Sequence, residues 1–354
     1  MHILVTNDDG PPHSSFSPYI KTLVDVLISR KHIVSVVVPS QQRSWIGKAH
    51  ILPASTYQEP KNPIPQPHQS NEASKDGGEG QVYGAKTSKN DDVEDALRPT
   101  YLDPRTGKIY SLPKDIPEDK ESSSPHYWAL VPGTPATCTQ LGLFHHSTLF
   151  PGAIALSSEL PSIDLVLSGP NHGRNTTAAF ALSSGTLGGA LEAAIAGMRA
   201  IALSFAFFTR SESQELIQEA CELSARIIEK LVADWDKSGQ PQPDLYSINV
   251  PLVDGIGKKE VRYTWMLRNI WGGGQGLYKQ IKSSAESSAA SDNDSSPPVF
   301  KWAPSFNDIW KTVEESEDGN DGKTIREGNT SVTPLMANFE SLFGSGDFQG
   351  TVKL

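Results

Sequence analysis

A chain of 354 residues with 41 acidic against 31 basic side chains has a formal charge of -10, which excludes the basic footprint that a general binder of duplex nucleic acid or of an anionic membrane needs. A small phosphorylated molecule stays open, because one bound cation reverses the field inside a single cleft. Only two cysteines occur, Cys138 and Cys221, which excludes a disulfide scaffold and a cysteine-rich zinc site and fits a reducing compartment.

The chain opens on Ile3, Leu4 and Val5, an apolar run suited to a strand buried on both faces, and breaks at once into Asn7, Asp8, Asp9 and Gly10. That tetrapeptide is a good turn in its own right. It also sets two carboxylates side by side at the mouth of a strand, where a hard divalent cation relieves their repulsion. With no leader before this strand and no apolar run of membrane-spanning length, the chain reads as cytosolic, without membrane attachment.

Ser17 followed by Pro18 predicts a capped helix with Ile20, Leu23, Val24 and Leu27 inward, and residues 33–38 predict a second buried strand. A strand, helix and strand this compact form a right-handed parallel unit by default. The loop carrying Arg43 and Ser44 then leaves the same sheet edge as Asp8 and Asp9, the edge where ligands collect in open parallel sheets. Residues 57–125 turn polar and rich in Pro, Ser and Gly, predicting a disordered insertion with one short hairpin near residues 101–112; a functional lid is the alternative.

The sheet resumes at residues 127–131 and runs into Thr134 and Pro135, another cap-then-proline helix start. Residues 164–168 predict a strand delivering the amide- and glycine-rich loop Asn171, His172, Gly173, Arg174 and Asn175. Ser184, Gly185 and Thr186 precede a helix with Leu187, Leu191, Ala194 and Ile195 at core spacing, a start that serves equally as a phosphate cradle or as a plain cap. A strand at residues 200–205, a long amphipathic helix at 213–235 and a strand at 245–250 complete the alternation. The fold class is therefore α/β, a doubly wound and mostly parallel sheet. Strand-like pieces at residues 261–266 and 330–335 flank a low-complexity loop at 283–298. Trp265, Trp271, Trp302 and Trp310 in this region either cover the sheet or meet a second subunit.

Asp8, Asp9, Ser44 and Asn171 each fall just past a predicted strand, so parallel neighbours bring four oxygen ligands together, a set that selects magnesium, manganese or calcium over zinc. No Gly-x-Gly-x-x-Gly follows any predicted strand, which disfavours a nicotinamide dehydrogenase.

In these blocks the sequence resembles the SurE family of metal-dependent nucleoside monophosphate phosphatases. The resemblance rests on Ile3 to Gly10, Arg43-Ser44, Gly133 to Cys138, Ser168 to Asn175, Ser184-Gly185-Thr186, Ile248 to Pro251 and Ser331 to Leu335, in family order. The start Asp8-Asp9-Gly10-Pro11-Pro12 and the long polar insertions look like the fungal branch. The resemblance implies a single Rossmann-like domain over residues 1–354 with a swapped C-terminal β-hairpin extension, and a homodimer or dimer of dimers. It also implies a metal site of Asp8, Asp9, Ser44 and Asn171, with Mg2+, Mn2+ or Ca2+ as the ion. Ser184, Gly185 and Thr186 would line the phosphate pocket, with Asn175 close by. Thr137 stands where the family usually has Asp, and Trp45 and Thr176 where it has glycine or a small polar residue.

The expected chemistry is hydrolysis of a nucleoside monophosphate or another small phosphomonoester by a metal-activated water, in the manner of a 5'-nucleotidase or acid phosphatase. Asp8 and Asp9 serve the metal and the nucleophile, Arg43 and Ser44 the substrate, and His172 is a candidate proton donor to the leaving group or simply a solvated loop residue. Direct water attack and a covalent intermediate both stay open. So does a catalytically silent nucleotide-binding or scaffolding relative.

Overall fold

The structure, a computed structural model, describes residues 1–51, 96–117, 124–151, 161–208, 212–237, 242–271, 276–281 and 297–339. Its strands and helices alternate in chain order: β1 (His2–Thr6), α1 (Ile20–Ser29), β2 (Ile33–Pro39), the hairpin β3 (Thr100–Leu102) and β4 (Ile109–Tyr110), β5 (Trp128–Val131), α2 (Pro135–Phe144) and the short α3 (His146–Leu149). There follow β6 (Leu165–His172), α4 (Thr177–Ala181), α5 (Gly185–Ile195), β7 (Ala200–Ala206), α6 (Gln214–Asp234), β8 (Leu245–Pro251) and β9 (Val261–Tyr263). The exposed hairpin β10 (Tyr278–Ile281) and β11 (Val299–Trp302), then α7 (Asn307–Glu315), α8 (Asp321–Arg326) and β12 (Thr330–Leu335) complete the described elements.

One sheet runs β4-β3-β5-β2-β1-β6-β7-β8-β12-β9. From β5 through β8 all neighbours are parallel, whereas β3 and β12 join antiparallel. Alternation along β1 divides the core. Ile3 and Val5 pack with α1 and α6 through Leu23, Leu27 and Ile228, while Leu4 packs on the other face with α2 and α5 through Cys138, Leu187 and Ala190. Helices on both faces of a parallel sheet give the doubly wound α/β class that the alternation implied. Among the described residues no helix is long and apolar enough to cross a membrane.

Several boundaries differ from expectation. The first helix starts at Ile20 with Tyr19 as N-cap, because the Ser17 hydroxyl instead donates to the Gly10 carbonyl at 3.0 Å and ties the loop after the acids back on itself. The strand expected at residues 164–168 continues through Gly169 to His172, with a register shift against β7 between Ser168 and Asn171. On α5 the inward residues are Leu187, Ala190 and Ala193, whereas Ile195 is 62% exposed. Glu192 is buried instead, held by the Lys48 ammonium at 2.6 Å and the Gln140 amide at 2.5 Å. The hairpin near residues 101–112 is present as β3 and β4. Residues 57–95 and 118–123 of the expected polar insertion, and residues 283–296 of the second loop, lie outside the described residues.

Opposite the acid end of the sheet, His2 and His146 both reach the Ser35 hydroxyl at 2.9 Å, with their rings 5.0 Å apart. Burial holds both imidazoles below the ordinary histidine range, His146 at about 4. The folded state thus refuses a proton that the unfolded chain takes up as pH falls through about 6.5. Stability contributed by the neutral pair is complete above that pH and is lost as the medium is acidified toward 4. Unfolding midpoints measured between pH 7 and pH 4 are expected to fall less steeply in His146→Gln than in wild type. Parallel curves would refute the linkage.

Candidate active site

β1, β2 and β6 are adjacent and parallel, so the segments that follow them leave one edge of the sheet together. A cavity of about 280 Å³ opens there, lined by Asp8, Ser44, Asn171, His172, Asn175 and Ser184. Six of the residues expected from sequence therefore face one space. Asp9, Arg43, Gly185 and Thr186 do not line it, and each is placed instead where it holds a lining residue.

Asp9 is 1% exposed and accepts the His172 backbone N-H at 2.7 Å, a bond that ties the end of β6 to the segment after β1. The Arg43 backbone N-H donates to the Asp8 carbonyl at 2.6 Å, and its side chain reaches the Gly133 carbonyl at 3.2 Å rather than the cavity. Gly185 packs under Asp8 so closely that a Cβ there would lie 2.7 Å from the Asp8 Cβ. The Thr186 hydroxyl donates to Oδ1 of Asp8 at 2.7 Å. The start of α5 is thus an anion site, as its dipole and free N-H groups require, and the anion it grips is a side chain of this protein.

Ser184 caps α5, its hydroxyl accepting the Leu187 N-H at 3.1 Å, and still lines the cavity. Asn175 connects layers. Its amide nitrogen donates to Ser204 at 2.8 Å and to Thr186 at 3.2 Å, and its backbone N-H donates to Oδ1 of Asn249 at 2.8 Å. Asp8, Thr186, Asn175, Ser204 and Asn249 consequently form one hydrogen-bonded chain from β1 to β8. The Asn171 amide nitrogen is committed to the Gly173 carbonyl at 2.6 Å, which turns its oxygen the other way. Thr137 lies in the first turn of α2, where its backbone N-H donates to the hydroxyl of the N-cap Thr134 at 3.1 Å, and it does not line the cavity.

Burial raises the Asp8 carboxyl above the usual range against the pull of Thr186 and Gly185, and burial together with the charge of Asp8 raises Asp9 well above it. Among the described residues no cationic side chain relieves either group. The donors fit a hard divalent cation: the Asp8 carboxylate, the Ser44 hydroxyl and the Asn171 amide line the cleft, and the Asp9 carboxylate adjoins it, next to Asp8 in the chain and 1% exposed. Among the described residues no three His, Cys, Asp or Glu side chains gather, so Ser44 and Asn171 are needed to complete such a site. His172 is half-buried between Tyr19 and Phe207, at ring separations of 5.4 and 4.8 Å. Its burial lowers the imidazole pKa against the pull of Glu212 and so disfavours a standing charged proton donor.

Sequence reasoning missed Arg174, Phe180, Phe207 and Phe306, which also line the cavity. Arg174 sits inside the block Ser168 to Asn175 and was within reach; Phe306 belongs to no pattern around the acids. Trp45, one of the departures noted above, holds a left-handed backbone at φ 63 beside Ser44, and its ring meets Trp302 at 5.0 Å. A bulky residue in that conformation is strained unless its surroundings hold it, and here Trp302 and three further aromatic rings, Phe180, Trp271 and Phe306, do.

Fold and cleft together define a doubly wound α/β protein whose candidate site is a cluster of oxygen donors at the carboxyl edge of a parallel sheet. The chain belongs to the SurE family, whose model, described as Survival protein SurE, matches residues 3–273. It is 35% identical over 375 residues to "Probable tubulin--tyrosine ligase PBY1" of Saccharomyces cerevisiae, a match covering 100% of this chain and 43% of that protein. It is 32% identical over 212 residues to the 5'-nucleotidase SurE of Ruegeria pomeroyi, covering 58% and 68%, and 28% identical over 264 residues to that of Synechocystis, covering 75% and 66%. The chain therefore spans less than half the length of the yeast relative. The SurE protein of Aquifex aeolicus shares the fold, with a TM-score of 0.54 at 21% identity over 96% of this chain and 95% of that one.

Proposed function

We propose that the chain is a divalent-metal-dependent phosphomonoesterase acting on nucleoside monophosphates. One observation supports this above the rest: Asp8, Ser44 and Asn171, from three separate segments, face one cavity, and Asp9, next to Asp8 in the chain, is 1% exposed. Relatives named 5'-nucleotidase support the reaction class. The yeast relative's ligase name belongs to a protein of which this chain matches 43%, and no ligase activity is carried over from it.

Asp8, Asp9, Ser44 and Asn171 would hold the cation, which when bound supplies Lewis acidity toward a phosphoryl oxygen and an acidified water. The chain's own part is preorganisation. α5 fixes Asp8, the His172 N-H fixes Asp9, and the Asn175 network, through Thr186, keeps Asp8 facing the cavity. Ser184 presents a hydroxyl to the phosphoryl group at the end of a helix whose dipole favours negative charge.

The test is phosphate release from a panel of nucleotides and a generic aryl phosphate, with Mg2+ or Mn2+ and with excess EDTA. Turnover is expected with metal and loss of turnover with chelator; full activity in EDTA would refute the reading. Tight nucleotide binding without turnover would favour the silent relative. The same site predicts a thermal effect. At a Mn2+ concentration about 100 times its dissociation constant, stabilisation of about 2.7 kcal/mol is expected, and an unfolding midpoint indifferent to Mn2+ would contradict the ligand set.

A further inference from the structure

Beyond the acid cleft, and sharing Gly173, Arg174, Phe180, Phe207 and Phe306 with it, lies a second cavity of about 550 Å³. Its outer wall is Phe306 and Trp310, at and just before α7, outside the residues 3–273 that match the family model. Phe207 and Phe208 are each 44% exposed here, an unusual amount of aromatic surface to leave uncovered.

Arg174 stands at the junction. Its guanidinium carbon lies 3.1 Å from the centre of the Trp310 ring and 5.6 Å from that of Phe180. Stacking occupies the faces of the planar group and leaves its edge donors free. Among the described residues those N-H groups have neither a hydrogen-bond nor an ion-pair partner. Arg326 on the same wall is offset by Glu314 at 3.2 Å. Burial, with Arg326 adding and Asp321 opposing, brings the guanidinium down to about 9, the mark of a cation short of solvent and of counter-charge. Arginine in such a setting is suited to planar, multidentate recognition of a phosphate.

We propose that Arg174 binds the phosphoryl group of the substrate and that the adjoining cavity takes a planar aromatic leaving group, a nucleobase, against Phe306 and Phe207. This deepens the phosphomonoesterase reading and rests on it for the identity of the substrate. Trp310 is then a positioning residue for Arg174. The recognition also distinguishes esters: a nucleotide fills both cavities, whereas an aliphatic or sugar phosphate fills only the first.

Calorimetry on the full chain with Mg2+, using ligands that cannot be hydrolysed, separates this inference from the catalytic one. Arg174→Gln is expected to weaken binding of inorganic phosphate by about tenfold or more, with Arg174→Lys intermediate. Adenosine is expected to bind where ribose at the same concentration does not, and Phe306→Ala to weaken adenosine by about tenfold. Unchanged phosphate affinity in both Arg174 variants, or adenosine binding no tighter than ribose, overturns the proposal. The wild-type comparison needs no variant to fold. A protein that binds these ligands as described yet releases no phosphate from any ester overturns the hydrolase reading and leaves the subsite standing. One that hydrolyses AMP while adenosine and ribose bind alike does the reverse.

Discussion

Asp8→Asn is expected to lower metal-dependent phosphate release from AMP by more than about 100-fold while leaving the folded protein at least as stable as wild type in EDTA. The two halves have one cause. Asp8 and Asp9 are buried beside each other with no cationic side chain among the described residues to relieve them, so in metal-free protein at neutral pH their charges oppose folding. Replacing one carboxylate by an amide removes that opposition, keeps the shape, and leaves an oxygen to accept the Thr186 hydroxyl. The substitution also removes an anionic ligand and with it most of the affinity for a hard cation. The sign of the pH dependence follows. A folded-state pKa raised above the unfolded value means the folded wild type takes up a proton first, so it gains stability relative to the variant as pH falls from 7 through about 6, the value for Asp8. Activity assays, Mn2+ titration and thermal melts at pH 7 and pH 5 check all of this. A variant that retains turnover would refute the ligand assignment, and one that loses turnover only because it has unfolded would refute the electrostatic account.

Gly169→Ala is expected to be the most damaging single methyl group in the described structure, destabilising by more than about 3 kcal/mol or preventing folding. Gly169 has φ +132, and a Cβ there would lie 2.1 Å from the Leu203 carbonyl oxygen on the neighbouring strand. No side-chain rearrangement relieves a clash with backbone in the middle of a sheet. The contact is close because β6 and β7 change register between Ser168 and Asn171, and that change precedes the turn that brings Asn171 to the cavity. Gly197→Ala is the control. Its φ is +79 with nothing within 4 Å of the added methyl, so only the backbone preference is lost, roughly 1 kcal/mol. Urea unfolding of the two variants should separate them clearly. Equal losses would mean that strain at φ, and not the approach of the strands, governs position 169.

Much of this architecture is legible in the sequence because it is local. Ile3 to Val5 read as a strand, Thr134-Pro135 and Ser184 as helix starts, and residues 213–235 as a long amphipathic helix, each from signals within one or two turns of chain. What escapes is set by partners far away. Nothing around Glu192 announces that Lys48 and Gln140 will bury its carboxylate, and nothing near Ser17 shows that its hydroxyl serves Gly10 in preference to the helix. In the candidate site the positions of Asp8, Ser44 and Asn171, proposed as metal ligands, follow from strand ends, a rule of topology. The roles of Thr186 and Gly185 do not, because their spacing fits an external anion as well as it fits Asp8. Arg174 and Phe306 become neighbours only through the return of the chain after β11, which no motif encodes.

That return carries a practical consequence. The last described strand, β12, is not appended to the sheet but inserted within it, antiparallel to β8 on one side and parallel to β9 on the other. A recombinant fragment cut at residue 273, where the match to the family model ends, would leave the edge of β8 bare and strand β9 without its hydrogen-bonding neighbour. Such raw edges recruit other chains, so a protein shortened to its recognisable part should precipitate, and its inactivity would say nothing about the acids at the opposite end of the molecule's chain order.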